Sequence, residues 1–242
     1  MPLLSTPELI LVAVAVAVGA LVQGSVGFGF ALVSAPALAL IEPAALPATV
    51  LLLSVPLNVA VAWRERAHAD LAGFRPLIGG LVIGTGGGTV IMATMPTASV
   101  GAVFGVAIIG MAGLSAIRPA KEHHGHPVKV AAGIASGLIN TVSGTGGPPI
   151  ALLYHRRPGP QLRSTLALAF LVALVLALAG LVIADRLRWE HFLVAAALVP
   201  ALATGLLVSR TIARFLDRRW LGPAVLTFAA ASGLAALLRA VV

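Results

Sequence analysis

The feature that most constrains this chain is an apolar run that breaks and resumes. No charged side chain occurs from Leu9 to Ile41, and a helix needs only about 20 such residues to cross a bilayer. Within the run stands Gln23-Gly24-Ser25-Val26-Gly27-Phe28-Gly29. Glycine lets a backbone turn where other residues are excluded. In lipid, such a break persists only if its freed N–H and C=O groups face protein or a water-filled cavity. A second apolar run is broken by Asn140-Thr141-Val142-Ser143-Gly144-Thr145-Gly146-Gly147-Pro148-Pro149. One constant shift along the chain sets Gly27 on Gly144, Gly29 on Gly146 and Gln23 on Asn140. Interruptions at corresponding positions of two halves point to the binding site of a transporter.

Composition agrees with a membrane location. Of the 242 residues 59% are hydrophobic and 10% charged, where a soluble domain carries about 25% charge. The formal net charge of +8 sits almost wholly in short loops, as expected of topology signals, so no nucleic acid partner is implied. Absence of cysteine excludes a disulfide framework, a haem attachment and a thiolate metal site. No Lys or Arg precedes the first apolar run, so a basic signal-peptide n-region is missing and that run is expected to stay in the mature protein.

The expected plan is an all-α polytopic protein of two repeats. Residues 1–117 form the first membrane repeat, 118–129 a cytoplasmic link and 130–242 the second repeat. Each repeat is a glycine-broken helical hairpin plus three transmembrane helices, giving 8–10 membrane segments. In the first repeat the spans after the hairpin run from about Leu46 to Trp63, Leu77 to Met95 and Val100 to Ile117. In the second they run from Leu162 to Ala184, Phe192 to Val208 and Leu221 to Leu238.

Charge decides whether a broken unit crosses once or turns back. With one crossing each, the 16 basic residues divide nine against seven. With each unit returning to the side it entered, they divide thirteen against three. The positive-inside rule prefers the second arrangement. It places both termini outside and the link 118–129 in the cytoplasm, in a plasma-membrane protein. The repeats then enter from opposite sides and are inverted. The arm from Pro149 to Tyr154 is far shorter than a span, which favours a re-entrant hairpin there. Full crossings stay open for the longer first unit.

Chemically, a glycine-rich turn leading into a helix N-terminus is a nest for an anion. Gln23, Gly24, Ser25, Gly27 and Gly29 form one candidate site segment. Asn140, Thr141, Ser143, Gly144, Thr145, Gly146 and Gly147 form the other. No acidic residue lies in the confidently buried stretches, whereas a cation site would show one. An oxyanion neutralised by backbone dipoles fits better. Gly79, Gly80 and Gly84 to Gly88 are read as packing glycines, Phe28 and Phe30 as packing side chains, and Asn58 as either bonding a neighbouring helix or facing the cavity. His123, His124 and His126 are read as a solvated loop and not a metal site, since no carboxylate cage surrounds them. No metal or other cofactor is expected.

At these residues the chain resembles the TauE/SafE family of membrane transporters, the sulfite exporter group. The resemblance rests on Gly24-Ser25-Val26-Gly27-Phe28-Gly29, Ser143-Gly144-Thr145-Gly146-Gly147-Pro148-Pro149 and the duplicated layout. It covers essentially the full length. It implies a plasma-membrane transporter of sulfite or an organosulfonate, generally outward, with the site at the two glycine segments. Expected partners are the small anion and the bilayer; a homodimer stays open. Two other classes compete. An intramembrane serine hydrolase would use Ser25 or Ser143, but needs a base within reach, and no His or Lys lies mid-span. A non-transporting scaffold has no need for matched polar breaks at depth.

Overall fold

A computed structural model of the chain describes residues 5–69, 74–95, 106, 125–143, 146–154 and 158–212. The described elements are all helical: α1 (Thr6–Val26), α2 (Phe30–Ile41), α3 (Ala48–Arg64), α4 (Phe74–Thr94), α5 (His126–Ser143), α6 (Gly147–Tyr154), α7 (Gly159–Ile183) and α8 (Trp189–Ile212). Short 3-10 turns at Pro43–Ala45 and Arg66–His68 follow α2 and α3. Of these, α1, α4, α7 and α8 are long and apolar enough to cross a membrane, and α2 and α3 are shorter apolar helices. All but Val106 of the expected span Val100 to Ile117, the last span Leu221 to Leu238, most of the link, and Gly144 and Thr145 lie outside the described residues. His126 to Lys129, expected in the link, instead form the first turn of α5.

Local chemistry explains the ends. Glu8 Oε2 accepts from the Ser5 N–H at 2.8 Å and the Ser5 hydroxyl at 2.7 Å, closing the start of α1 with a capping box. Inside the helices hydroxyls bond back one turn. Ser34 donates to Phe30 O, Ser54 to Val50 O, Thr89 to Thr85 O and Thr204 to Pro200 O. Such polar side chains therefore need no water at membrane depth.

Close approaches fix the directions. Any Cβ on Gly80 would meet Val130 O and Gly133 Cα; on Gly84, Ile134 O; on Gly88, Thr141 Cβ and Leu138 O. Gly137 faces Leu81 O and Thr85 in return. Both numberings rise together, so α4 and α5 lie parallel, backbone against backbone. The spacing is small-xxx-small on both helices, the device that brings membrane helices together where hydrophobicity cannot. Gly79 and Gly86 have nothing described within 4 Å of that position. The packing glycines are therefore those on one face, not the whole cluster.

Elsewhere Gly205 abuts Ala17 and Gly24 abuts Ser209, so α8 runs parallel to α1. Gly180 abuts Thr89 and Arg186 Nη2 donates to Met95 O at 3.1 Å, so α7 runs parallel to α4. Arg163 near the start of α7 pairs with Glu65 at the end of α3. These contacts sort the helix termini into two ends. One, the Arg64 end, gathers the C-termini of α1, α3 and α8 with the N-termini of α4, α5 and α7. The other is the His191 end, where His191 Nδ1 accepts from the Arg188 N–H at 3.0 Å and Nε2 lies 3.2 Å from Ala44 O.

The buried side chains divide into two main clusters. One draws on α1, α2, α3 and α8 and contains Phe30, Leu38, Leu57 and Leu198. The other draws on α3 to α7 and contains Leu77, Ile150, Leu166 and Leu174. Phe28 packs against both. Ile10, Val14, Val82, Ile83, Val90, Val175, Leu193 and Leu207 are exposed. An apolar exterior of this extent is at home only among acyl chains.

Candidate functional site

Helix α1 runs for 21 residues before the first turn, about 31 Å at 1.5 Å per residue and enough to cross the hydrocarbon core. The first glycine turn therefore closes a complete crossing at the Arg64 end, and does not sit midway along the run. Gly27 and Gly29 have φ of 102° and 113°, angles at which a side chain is strained. The Gly27 N–H donates to Gln23 O at 2.7 Å. Any Cβ at Gly27 would stand 3.2 Å from Arg163 Cα. Glycine is thus required both by the turn and by the approach of α7.

Gln23 holds this turn. Its Oε1 accepts from the Phe30 N–H at 3.1 Å, capping α2, and its Nε2 donates to Asn58 Oδ1 at 3.0 Å. Asn58 Nδ2 in turn donates to Ser54 O at 2.8 Å. All these side chains are buried. The Gln23 amide, expected to face a solute, is engaged by α2 and α3, and Asn58 bonds its neighbours. Removing one partner strands buried groups, at about 1–3 kcal/mol each. Gln23→Leu is expected to lower the thermal midpoint in detergent, and Asn58→Leu likewise. The double variant should lose less than the sum, since both remove one bond. Strict additivity would show that the pair is not coupled.

Arginines finish α1. Arg64 Nη2 donates to Gly24 O at 2.6 Å and Arg163 Nη1 to Ser25 O at 3.4 Å. They satisfy carbonyls that a helix C-terminus leaves open, at its negative end. Glu65 Oε1 accepts from Arg163 Nη2 at 2.8 Å, Arg163 Nε at 3.1 Å and Arg64 Nε at 3.2 Å. The Glu65 and Arg163 side chains are each 12% exposed. Beside them opens a cavity of about 740 Å³ lined by Pro56, Val59, Ala60, Trp63, Arg64, Glu65, Arg163 and Arg210. Sequence reasoning took these charges as loop signals and missed the constellation. The one available signal was Glu65, the acid enclosed by Arg64 and Arg66.

The second turn is built differently. Gly146 packs on α5, where any Cβ would meet Ser136 O and Asn140 Cβ, and the Ser136 hydroxyl donates to Gly146 O. Helix α6 thus folds back along α5. The Thr141 hydroxyl donates to Gly137 O at 2.9 Å and lies against Gly88. Ser143 ends α5 and Gly147 opens α6. A bulky residue at Gly146 must force the hairpin apart.

Two predicted residues stand out for what they lack. Ser25 Oγ in the first turn and Asn140 Nδ2 in the second are buried with no hydrogen-bond partner among the described residues, as are Thr49 Oγ1 in α3 and Thr85 Oγ1 in α4. Natural interiors satisfy nearly all such groups. Among the described residues no base bonds the Ser25 hydroxyl, the contact a nucleophile requires. The structure groups Gln23, Gly24, Ser25, Gly27 and Gly29 in one turn, and Asn140, Thr141 and Gly146 in the other. No extended packing joins α1 or α2 to α5 or α6. Their links are Phe28, shared by both clusters, and Ile139, which packs against the α1–α2 cluster.

A family model described as sulfite exporter TauE/SafE matches residues 11–236. No curated protein and no solved structure matches the chain.

Proposed function

Because the chain belongs to the TauE/SafE sulfite exporter family, whose members are multi-pass membrane transporters of sulfur oxyanions and not enzymes, we propose that it carries sulfite or an organosulfonate outward across the plasma membrane, bound at the two glycine turns. The observation that carries this reading is the pair of buried, unpartnered donors, Ser25 Oγ and Asn140 Nδ2, one on each turn. Each can donate to an acceptor oxygen of a solute that reaches its own turn. The N-termini of α2 and α6 add partial positive charge, each at its own turn. The site comprises Gly24, Ser25, Gly27 and Gly29 with Asn140, Thr141, Ser143, Gly144, Thr145, Gly146 and Gly147, and Gln23 positions the first turn.

The same reading makes the halves an inverted repeat, 1–117 and 130–242, joined by a cytoplasmic link. It is supported by the hairpins: α1–α2 enters and leaves at the His191 end, α5–α6 at the Arg64 end. Arg64, Arg66, Arg75, Lys129, Arg163 and Arg210 gather at the Arg64 end, against Arg186 and Arg188 at the other. On this reading that end is cytoplasmic and the start of α1 lies outside, and the expected last span, Leu221 to Leu238, returns the C-terminus outside as well. Hairpins entering from opposite sides are the pattern of inverted-repeat transporters.

The test is flux. Purified protein in liposomes should release preloaded sulfite or sulfoacetate well above protein-free vesicles, and acetate no faster than those controls. Equal release of acetate would point to an unselective pore, and no release of either sulfur anion would end the proposal.

A further inference from the structure

We infer that the cavity beside α3 is the cytoplasmic uptake site, and that Glu65 is its built-in stand-in for the solute: the incoming oxyanion displaces the Glu65 carboxylate from Arg163. This rests on the oxyanion reading above. Three arginines and one carboxylate line the cavity, so its lining carries uncompensated positive charge. The volume of about 740 Å³ lies within the range of small-molecule sites. Arginine presents a planar fork suited to oxyanions. Here that fork closes on a single oxygen, since Arg163 Nε and Nη2 and Arg64 Nε all donate to Glu65 Oε1. A pyramidal oxyanion offers the same acceptor with two more oxygens to spare.

Position adds the second argument. The guanidinium that holds Glu65 also reaches Ser25 O through Nη1, and the Arg163 stem packs on Gly27. Exchange of partners on Arg163 therefore takes place directly against the first glycine turn. The opposite wall is apolar, made by Pro56, Val59, Ala60 and Trp63, with Arg66 stacked 4.7 Å over the Trp63 ring. Glu65 caps α3 without otherwise bonding that wall. The chemistry recognised is an oxyanion, which a dissolved solute or a phospholipid headgroup could present; the dissolved solute is the occupant here.

Glu65→Gln keeps the shape and removes the competing charge. In phosphatidylcholine vesicles its apparent KM for sulfite should fall several-fold below wild type. Arg163→Gln, which removes both donors of the fork, should raise KM about tenfold or more. Arg163→Lys, which keeps the charge and loses the fork, covers the case in which Arg163→Gln does not fold, and should also raise KM. Damage to a purely structural ion pair would raise KM in Glu65→Gln as well; that result, or an unchanged KM, overturns the inference. Wild-type KM should be the same when phosphatidylglycerol is added. A KM that climbs with phosphatidylglycerol would make the cavity a headgroup site and also overturn it. Wild-type vesicles that move no sulfite would instead sink the functional reading.

Discussion

Gly84→Leu is expected to leave little folded protein, whereas Gly79→Leu and Gly86→Leu should be recovered at wild-type yield. The three positions share one helix and differ in what they face. A Cβ at Gly84 would run into Ile134 O, while nothing described lies within 4 Å of the same position at Gly79 or Gly86. Overpacking costs about 1–3 kcal/mol where side chains can yield. Here the obstacle is main chain on α5, so the helices must part, and the Gly80–Gly133 and Gly88–Thr141 approaches part with them. A loss on that scale lowers abundance several-fold in a cell. Size-exclusion profiles of detergent-extracted variants test it. A monodisperse Gly84→Leu at normal yield would show that α4 and α5 are not in contact. Gly137→Leu, from the other side of the same seam, should fail in the same way.

Much of this was legible in the sequence, and the reason is that lipid simplifies the code. Apolar runs of about 20 residues can only be helices, so the bounds of α3, α4, α7 and α8 fall within a few residues of the expected spans. The glycine turns were legible because Gly27 and Gly29 break an otherwise continuous run. Their depth was not. It depends on how many residues precede the turn, and the 21 residues of α1 carry the first turn to the end of a crossing. The Gly80–Gly84–Gly88 face was hidden by its neighbours Gly79, Gly86 and Gly87, since composition does not say which side of a helix meets α5. Its partners Gly133 and Gly137 were overlooked because they sit in the arm leading to the conspicuous second break.

The polar network was less legible for a different reason. Gln23 reads as a donor for a solute, yet its two amide atoms reach Phe30 and Asn58, residues brought near by the fold. Arg64 and Arg163 read as loop charges, yet they close over α1 carbonyls. Long side chains at the ends of helices can act at a distance from their own Cα, and a linear pattern does not record where they end.

Asn140→Ala and Ser25→Ala should each cut sulfite flux at low substrate to about a tenth or less, with no loss of thermal stability. The two halves of that expectation come from one fact. A buried polar atom without a partner is a cost to the folded state of about 1–3 kcal/mol. Removing it therefore cannot weaken the fold through a lost bond, since none is made among the described residues. The same atom, if it donates to an anion, contributes about 1.5–3 kcal/mol to the bound state, which is roughly a tenfold to hundredfold change in affinity. Gln23→Leu, by contrast, must lower stability, because Gln23 is bonded on both sides. The comparison separates donors to solute from donors to protein. Should Asn140→Ala and Ser25→Ala transport normally, the two turns are scaffold, and the anion passes elsewhere; should they melt early with flux intact, each has a protein partner and neither donates to the solute.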